Sequence, residues 1–294
     1  MAKERKAPLT RTGVIREYDV HTPAVKIGLG FIYALCIVMV VIAVFPIIWV
    51  VLAGFKDLKE YMSSTSILPK SFSLVHYIKT WTQLDIVKNY LNSLYSVIGS
   101  VLCALVFNGL LAYGLAILKP KGYRIVKKLV MFSLLMPATI SIVPLFMNIQ
   151  RLGIGGFFWP LWLQYGANAV YVVLFMQFFE SLPHSMIEAS RIDGCTPLQT
   201  FFRIVLPLSR PICAVITIFA INASWSDFLL PYLVLGNGPW QTVMVRLFIF
   251  STQQTINYDT LMRSVVFSMI PPIILFIIFQ KKLTENIVTT GIKG

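Results

Sequence analysis

The sequence predicts an all-α integral membrane protein with six transmembrane helices, both termini cytoplasmic, and a helix–Gly–helix loop between the fourth and fifth spans. Three observations predict this class: the composition, a set of long apolar runs, and the uneven distribution of Lys and Arg. Of 294 residues, 57% are hydrophobic and 13% charged, and the mean hydropathy is +0.76. Soluble domains are nearer about a quarter charged, so the apolar excess favours a bilayer-spanning chain.

Six apolar runs are each close to the ~20 residues that a helix needs to cross the hydrocarbon core. Helices are expected because a spanning segment must satisfy its own backbone polar groups. The first run forms a separate span, and residues 93–280 form a core of five spans. The first run is also too long for the core of a signal peptide, so it should remain as a helix. The runs cover residues 27–54, 93–118, 129–150, 157–180, 212–236 and 262–280.

The distribution of Lys and Arg predicts the orientation. The tail 1–26 holds six, the loop 119–128 holds five, and the loop 181–211 and the tail 281–294 hold three each. With six spans these segments share one side, which carries 17 basic residues against 8 on the other. The richer side is cytoplasmic. Both tails and the 181–211 loop are therefore expected inside, and the 55–92 connector outside.

Several functional classes are excluded by the same composition. The net charge of +13 lies in the loops of a membrane protein rather than in a compact basic domain, so nucleic-acid binding is not expected. No C-x-x-C pair, H-E-x-x-H motif or Walker A motif is present, so we expect no metal site, no catalytic residue and no ATP site on this chain. The scattered cysteines act as small apolar residues; they are Cys36, Cys103, Cys195 and Cys213.

The loop 181–211 has the pattern of two short helices. Ser185 and Glu188 fit a capping box that starts the first helix. Gly194 suits the left-handed residue that ends it. The resulting elbow could transmit force. The alternative is that Glu188 only caps its own helix and that the loop is an interfacial feature without a partner.

The second helix of the loop is predicted to begin at Thr196, with Pro197 in its first position. Gln199 completes a second capping box with Thr196. Pro207 is predicted to stop this helix. Gly194 would then be the hinge between the two helices.

The loop resembles the conserved cytoplasmic loop of ABC-importer permeases, in which Glu-Ala-Ala, three residues, Gly, nine residues and Ile-x-Leu-Pro recur. Every spacing is kept, with a serine in place of the second alanine. An aspartate before the glycine, and a proline four residues after the last motif residue, are typical of carbohydrate importers. The matching residues are Glu188, Ala189, Ser190, Asp193, Gly194, Ile204, Leu206, Pro207 and Pro211.

The resemblance extends over nearly the whole chain. Asn92-Ser93-Leu94 opens the second span as in sugar permeases, and Trp225-Ser226-Asp227-Phe228 stands where the family usually has Trp-Asn-Glu-Phe. The ending Thr290–Gly294 is similar to that of the smaller permease subunit of maltose-type importers. A single span before a core of five also fits that smaller subunit.

The resemblance implies a transport subunit of an ATP-driven, binding-protein-dependent sugar importer in a prokaryotic plasma membrane. An oligosaccharide is the expected cargo, with a monosaccharide as the alternative. It implies a second, larger permease, an ATP-binding subunit dimer that holds ATP and Mg²⁺, and an external solute-binding protein. The first helix of the loop would dock on the ATPase. Glu188 would orient it, Gly194 would supply the bend, and Ile204, Leu206 and Pro207 would pack onto the bundle; Lys293 and Gly294 would make a second contact.

One charge, Asp227, stands well inside an apolar run, with Asn222 and Trp225 nearby. Buried ionisable groups in a membrane are costly and are therefore functional candidates. An aromatic ring and polar partners suit a sugar, so these three residues are candidates for the substrate path. The alternative is interfacial anchoring, because Trp is common at the headgroup level and Asp227 could be solvated there or pair with a neighbouring subunit.

Two other transport functions stay open. An importer for another solute, such as a peptide or an amino acid, would share the loop motif. A secondary transporter would be expected to show inverted repeats and more buried ionisable groups, neither of which the sequence displays.

Overall fold

A computed structural model describes residues 23–236, 238–253 and 257–291 of the chain. Within these ranges the chain is helical, with no strand. Two of the helices continue into or out of π-helical segments, at Gly114–Leu118 and Phe201–Val205. The helices are α1 Pro23–Ala53, α2 Leu58–Ser63, α3 Val75–Gln83, α4 Ile86–Tyr113, α5 Tyr123–Ser133, α6 Ala138–Arg151, α7 Trp159–Gly166, α8 Ala169–Glu180, α9 His184–Ile192, α10 Pro197–Thr200, α11 Leu206–Leu208, α12 Arg210–Ser226, α13 Leu229–Leu235, α14 Val243–Ser251 and α15 Tyr258–Gly291.

Three single helices in the described residues are long and apolar enough to cross a membrane: Val25–Ala53, Ile86–Leu118 and Tyr258–Gln280. Two bent pairs, α8 with α9 and α10–α11 with α12, pass the same test together, which gives three to five candidate spans. The second span begins at Ile86, earlier than the predicted 93, because polar residues in its first turns are buried against neighbouring helices.

The predicted third, fourth and fifth runs are not continuous helices. The third breaks between α5 and α6, where Pro137 takes an extended conformation and disfavours a helical Met136. The fourth breaks between α7 and α8, where the side chain of Asn168 accepts hydrogen bonds from the amides of Val170 and Tyr171 at 3.0 and 3.2 Å. Such a cap starts a new helix.

The break in the fifth run falls at Asp227. Pro231 has no backbone N–H, and its ring would clash with a helical carbonyl four residues earlier, which is that of Asp227. Accordingly α12 ends at Ser226, Asp227 is extended, and α13 begins at Leu229. The predicted span 212–236 is therefore not one continuous helix, and Pro231 was the available signal for its break.

The core lies around α4, which packs against α7, α8 and α12. Close approach to α7 depends on Gly99, because a Cβ there would lie 2.1 Å from the ring of Trp162. Small residues at such contacts are the usual way in which membrane helices pack tightly. By contrast, the most apolar stretch of α1 buries none of its residues within this chain, and α1 touches the rest mainly through α15. Its surface is therefore left for lipid or another subunit.

The bundle has two distinguishable ends. The start of α4 and the start of α15 meet around Phe267, which packs with Leu84 and Ile86. The end of α1 is joined to α15 nearby, where Arg263 donates to the carbonyl of Gly54. The end of α4 and the end of α8 meet the loop 181–211 through the core that contains Tyr113 and Phe179. We call these the α1 end and the loop end.

Candidate functional site

The candidate site at the loop end is a bent segment that we call the elbow, residues 184–208. It consists of α9, a tight turn, and the helical stretch from α10 to α11. Its first helix makes an angle of 84° with α8, and its last stretch makes an angle of 83° with α12. Both arms of the elbow therefore run across the direction of the helices that lead into and out of it.

The turn in the elbow is a Schellman motif centred on Gly194. The amide of Gly194 donates to the carbonyl of Arg191 at 3.1 Å, and the amide of Cys195 donates to that of Ser190 at 2.9 Å. Gly194 has a φ of +79°, which a residue with a Cβ adopts only at a cost. The predicted left-handed glycine is confirmed, and the bend is fixed by the backbone.

The predicted capping box of Ser185 and Glu188 was wrong. Helix α9 begins at His184, with Pro183 in the capping position and no side-chain cap. Pro183 already has the extended conformation of a capping residue, with φ −61° and ψ 119°, and the helix begins directly after it. Ser185 is therefore inside the helix and cannot act as its cap. The carboxylate of Glu188 is therefore not used to cap its own helix.

The second arm begins as predicted but does not end as predicted. The Thr196 side chain accepts from the amide of Gln199 at 3.3 Å, and the Gln199 side chain accepts from the amide of Thr196 at 2.8 Å, which completes the capping box. Pro207 does not stop the helix, because the π-helical turn before it widens the hydrogen-bonding pattern and accommodates a residue without an N–H. The chain bends after Leu208 instead.

A buried pair of hydroxyl groups ties the two arms together. Ser190 and Thr200 are each about 2% exposed, and their hydroxyl oxygens are 3.1 Å apart. The Ser190 hydroxyl also donates to the carbonyl of Ile187 at 2.7 Å. The serine at the family's usual alanine position thus joins α9 to α10.

The elbow is anchored to the bundle by Phe201 and Val205, which are completely buried. The ring of Phe201 lies 5.4 Å from that of Tyr113 and would be 3.2 Å from a Cβ on Gly109. Neither anchor was singled out from the sequence. Their spacing of four residues on one helical face was the available signal.

The three residues predicted to pack the elbow onto the bundle play smaller parts. Leu206 is half-buried against the same core, and Ile204 is also half-buried. Pro207 is exposed, so the expectation that it packs against the bundle was wrong for this chain. Because successive residues of a helix point in different directions, Pro207 faces outward when the preceding Leu206 faces the core.

The outward face of α9 is free. Ile187 and Ser190 are buried, whereas Glu188, Ala189 and Asp193 are exposed. Ile192, on the same outward side, is 86% exposed. Within the described residues Glu188 makes no ion pair and no side-chain hydrogen bond. This face combines an unpaired carboxylate with exposed apolar surface on a rigid support. Lys293 and Gly294 lie outside the described residues.

Trp225 is a packed core residue. It is 7% exposed, its indole N–H donates to the carbonyl of Ser268 at 3.0 Å, and its ring stacks on Tyr90 at 5.7 Å. The adjacent Ser224 donates to the hydroxyl of Ser100 at 3.1 Å. In this structure the ring of Trp225 therefore joins α12 to α4 and α15, and its faces are covered by protein.

Asp227 and Asn222 lie in different surroundings. The half-buried Asp227 sits at the break between α12 and α13, where its carboxylate faces the amides of Leu229 and Leu230. Asn222 is exposed on α12 and lines a mainly apolar cleft of 230 Å³ together with Pro272 of α15. The structure therefore does not gather the three predicted path residues around one opening.

A buried arginine in the sixth apolar run was missed. Arg263, in the sixth run, is 3% exposed and pairs with Asp259 at 3.0 Å. Its guanidinium also donates to the carbonyls of Gly54 and Lys56, both at 2.7 Å, and to the hydroxyl of Thr80 at 3.2 Å. It ties α15 to the end of α1 and to α3. A lone arginine at the start of an apolar run was the available signal.

Three long apolar helices and two bent apolar pairs indicate a multi-pass membrane protein that is helical throughout the parts the structure describes. Residues 33–288 match the family model described as the binding-protein-dependent transport system inner membrane component. The chain belongs to this family, whose members form the inner membrane component of such transport systems.

Three comparisons place the chain among known proteins. It is 30% identical to the diacetylchitobiose uptake system permease protein of Streptomyces coelicolor, over 87% of this chain and 86% of that protein. It is 32% identical to the arabinooligosaccharides transport system permease protein of Halalkalibacterium halodurans, over 86% and 92%. The structure of a bacterial ABC transporter that imports the acidic polysaccharide alginate has the same fold, with a TM-score of 0.76 at 22% identity over 89% of this chain and 98% of that one.

Proposed function

We propose that the chain is one of two permease subunits of an ATP-driven, binding-protein-dependent sugar importer, and that it forms half of the translocation path. The observation that carries this proposal is the elbow. It is a bend of fixed geometry whose outward face is acidic and apolar, and it is anchored in the core of a chain that belongs to this transport family. The proposal places six spans in the membrane, with both termini and the elbow in the cytoplasm and the 55–92 connector outside.

The elbow is proposed to couple the bundle to a partner ATPase that holds ATP and Mg²⁺. A push on α9 would pass to α10 through the Ser190–Thr200 hydroxyl pair, and from there to α4 through Phe201. A flexible loop would absorb such a displacement, whereas an element with fixed geometry biases a bundle between two packings. This use of the elbow is supported by its short, fixed turn at Gly194.

Individual residues take distinct roles in this proposal. Glu188, which does not cap its own helix, would pair with a basic group of the ATPase. The small side chain of the exposed Ala189 would let the ATPase approach α9 closely. Ser190 holds the arm, Asp193 and Gly194 form the bend, and Leu206 with Ile204 adds half-buried contact with the core. Exposed Pro207 remains available to a partner, and Lys293 with Gly294 is proposed as a second contact.

A sugar, and an oligosaccharide foremost, is proposed as the solute because the relatives compared above are named for diacetylchitobiose and arabinooligosaccharides. A galactooligosaccharide permease of Bacillus subtilis, 30% identical over 91% of this chain, adds a third. A larger permease and an external solute-binding protein would complete the importer. Asp227 stays a candidate for the path because it lies at a helix break, whereas Trp225 is proposed to act structurally.

The coupling role is tested by uptake and ATP hydrolysis in the assembled transporter. Glu188→Lys should leave assembly intact and hydrolysis active but reduce sugar uptake per ATP at least about tenfold, because reversed charge misplaces α9 on the ATPase. Lys88→Glu, an exposed charge reversal at the α1 end, is the control and should transport normally.

A second pair of variants probes the bend. Gly194→Pro cannot adopt the required φ and should uncouple transport, whereas Gly194→Asn tolerates the left-handed conformation and should retain most uptake. Wild-type uptake in both Glu188→Lys and Gly194→Pro would remove the elbow from the mechanism. Uptake of labelled peptide but not of oligosaccharide would replace the solute class while leaving the coupling role intact.

A further inference from the structure

A dense cationic patch follows the second candidate span, which ends at Leu118. Five basic residues fall within ten positions, and no acidic residue stands between them. They occupy the turn after the π-helical end of that span and the first two turns of α5. The patch consists of Lys119, Lys121, Arg124, Lys127 and Lys128.

The backbone gathers these cations. Lys119 takes a left-handed conformation with a φ of +47°, and Gly122 does so with a φ of +87°, so the chain reverses within four residues. Arg124 then lies beside Tyr123, with its Nε donating to the phenol oxygen at 3.3 Å and its guanidinium carbon 5.8 Å from the ring centre. That hydrogen bond, together with the charges of Arg124, Lys119 and Lys127, lowers the pKa of Tyr123.

The charge of the patch is largely uncompensated. Lys127 pairs with Glu180 at 3.0 Å, which also places the patch at the loop end of the bundle. In the described part of the chain the other four cations have no acidic partner, and all four are exposed. Four like charges held this close together attract a polyanionic surface.

An apolar stripe lies directly beside the cations on α5. Ile125, Leu129 and Phe132 recur at the spacing of one helical face, and all three are exposed. Arg124 and Lys128, one turn apart, flank that stripe. Tyr123 and Val130 pack against the core instead, so the stripe faces away from the bundle. A helix with an exposed apolar stripe bordered by basic residues is typical of the membrane interface.

We propose that this patch binds the phosphate headgroups of anionic membrane lipids, with the stripe of α5 in contact with their acyl chains. A lipid fits better than an acidic soluble partner, because a soluble partner would leave the adjacent stripe in water. The position just after a membrane-spanning helix puts the cations at the headgroup level. Binding at this patch would hold α5 against the end of α8, where Lys127 pairs with Glu180.

The test compares two variants of the full chain that each lose four positive charges. The patch variant is Lys119→Gln/Lys121→Gln/Arg124→Gln/Lys128→Gln, and the control variant is Lys59→Gln/Lys70→Gln/Lys79→Gln/Lys88→Gln, all exposed residues at or near the α1 end. Delipidated protein in neutral detergent is titrated with phosphatidylglycerol or phosphatidylcholine, and bound lipid is counted by native mass spectrometry.

Wild type and the control variant should bind phosphatidylglycerol at least about tenfold more tightly than phosphatidylcholine, and the patch variant should lose that preference. A pair variant with only Arg124→Gln and Lys128→Gln should lose part of it, which guards against misfolding of the quadruple variant. An equal loss of the phosphatidylglycerol preference in the patch and control variants would show that the preference depends only on the net charge of the chain, and would overturn the proposal. An unchanged lipid preference together with loss of a co-purifying soluble protein would assign the patch to that protein instead.

Discussion

The Nε of Arg263 donates a hydrogen bond to the carbonyl oxygen of Gly54 at 2.7 Å, which joins the first turns of α15 to the end of α1. Few other contacts hold α1, since its apolar stretch is unburied within the chain. A charged guanidinium is stable in this buried position because Asp259, Thr80 and the carbonyl of Lys56 accept from three of its four remaining N–H groups.

Arg263→Gln is expected to destabilise the chain by about 3 kcal/mol, because it leaves the half-buried Asp259 without a countercharge and removes the buried guanidinium from its backbone partners. The melting temperature in detergent measures this loss. Arg246→Gln, at a half-buried arginine of α14, is the control and should melt close to wild type. The double variant Arg263→Met/Asp259→Leu should be more stable than Arg263→Met alone. If it is less stable, the two residues do not act as a pair.

Ser190→Ala is expected to loosen the joint between the arms of the elbow by about 1 kcal/mol, because it removes a buried hydroxyl from the contact with Thr200. Hydrogen exchange of amides in residues 184–208 should become faster while exchange in α4 stays unchanged. Ser185→Ala, an exposed serine on the same helix, should have no effect. Equal exchange in both variants would show that the hydroxyl pair contributes nothing to the joint.

Asn108→Ala should be more damaging than an ordinary polar truncation. The completely buried Asn108 side chain donates to the carbonyl of Tyr165 at 2.8 Å and accepts from the amide of Asn168 at 2.9 Å, so it satisfies the backbone at the break between α7 and α8. Leaving these groups unpaired costs about 1 to 3 kcal/mol each. Thermal melts should show a loss several times that of Asn148→Ala, an exposed residue of α6; similar melts would contradict this role.

Trp225→Phe and Asp227→Asn should separate structure from transport. Trp225→Phe removes the hydrogen bond to Ser268 and should lower the melting temperature while leaving the apparent affinity for sugar unchanged. Asp227→Asn keeps the size of the side chain and should alter sugar affinity more than stability if this residue lines the path. A weakened sugar affinity in Trp225→Phe at unchanged melting temperature would reverse the assignment.

The sequence was most informative where one local signal dominates. The apolar spans within α1 and α15, the left-handed Gly194 and the Thr196–Gln199 box were all predictable, because each depends on hydropathy or on a few adjacent residues. The full length of α15 was not, since it begins before the apolar run and continues past it. The break at Asp227 was also readable, since Pro231 follows four residues later.

Features that depend on distant parts of the chain were not predictable in the same way. The pairing of Ser190 with Thr200 needs the turn at Gly194 to bring two arms together, and the burial of Phe201 needs Gly109 of α4 opposite its ring. The start of α9 was predicted incorrectly because Ser185 and Glu188 satisfy a capping pattern, yet Pro183 already supplies the extended residue. Two adjacent start signals, Pro183 and Ser185, are therefore present in the sequence, and only the one at Pro183 is used in the structure.

The assignment of this chain to a multi-subunit importer is tested by purifying the tagged chain from its native membranes in mild detergent and identifying the proteins that accompany it. We expect a second permease and an ATPase with the wild type. Although Glu188→Lys alone should leave the complex assembled, the Glu188→Lys/Gly194→Pro double variant should lose the ATPase and still retain the second permease. A chain that is purified alone, transports sugar when reconstituted by itself and does not respond to ATP would contradict the assignment as an importer subunit.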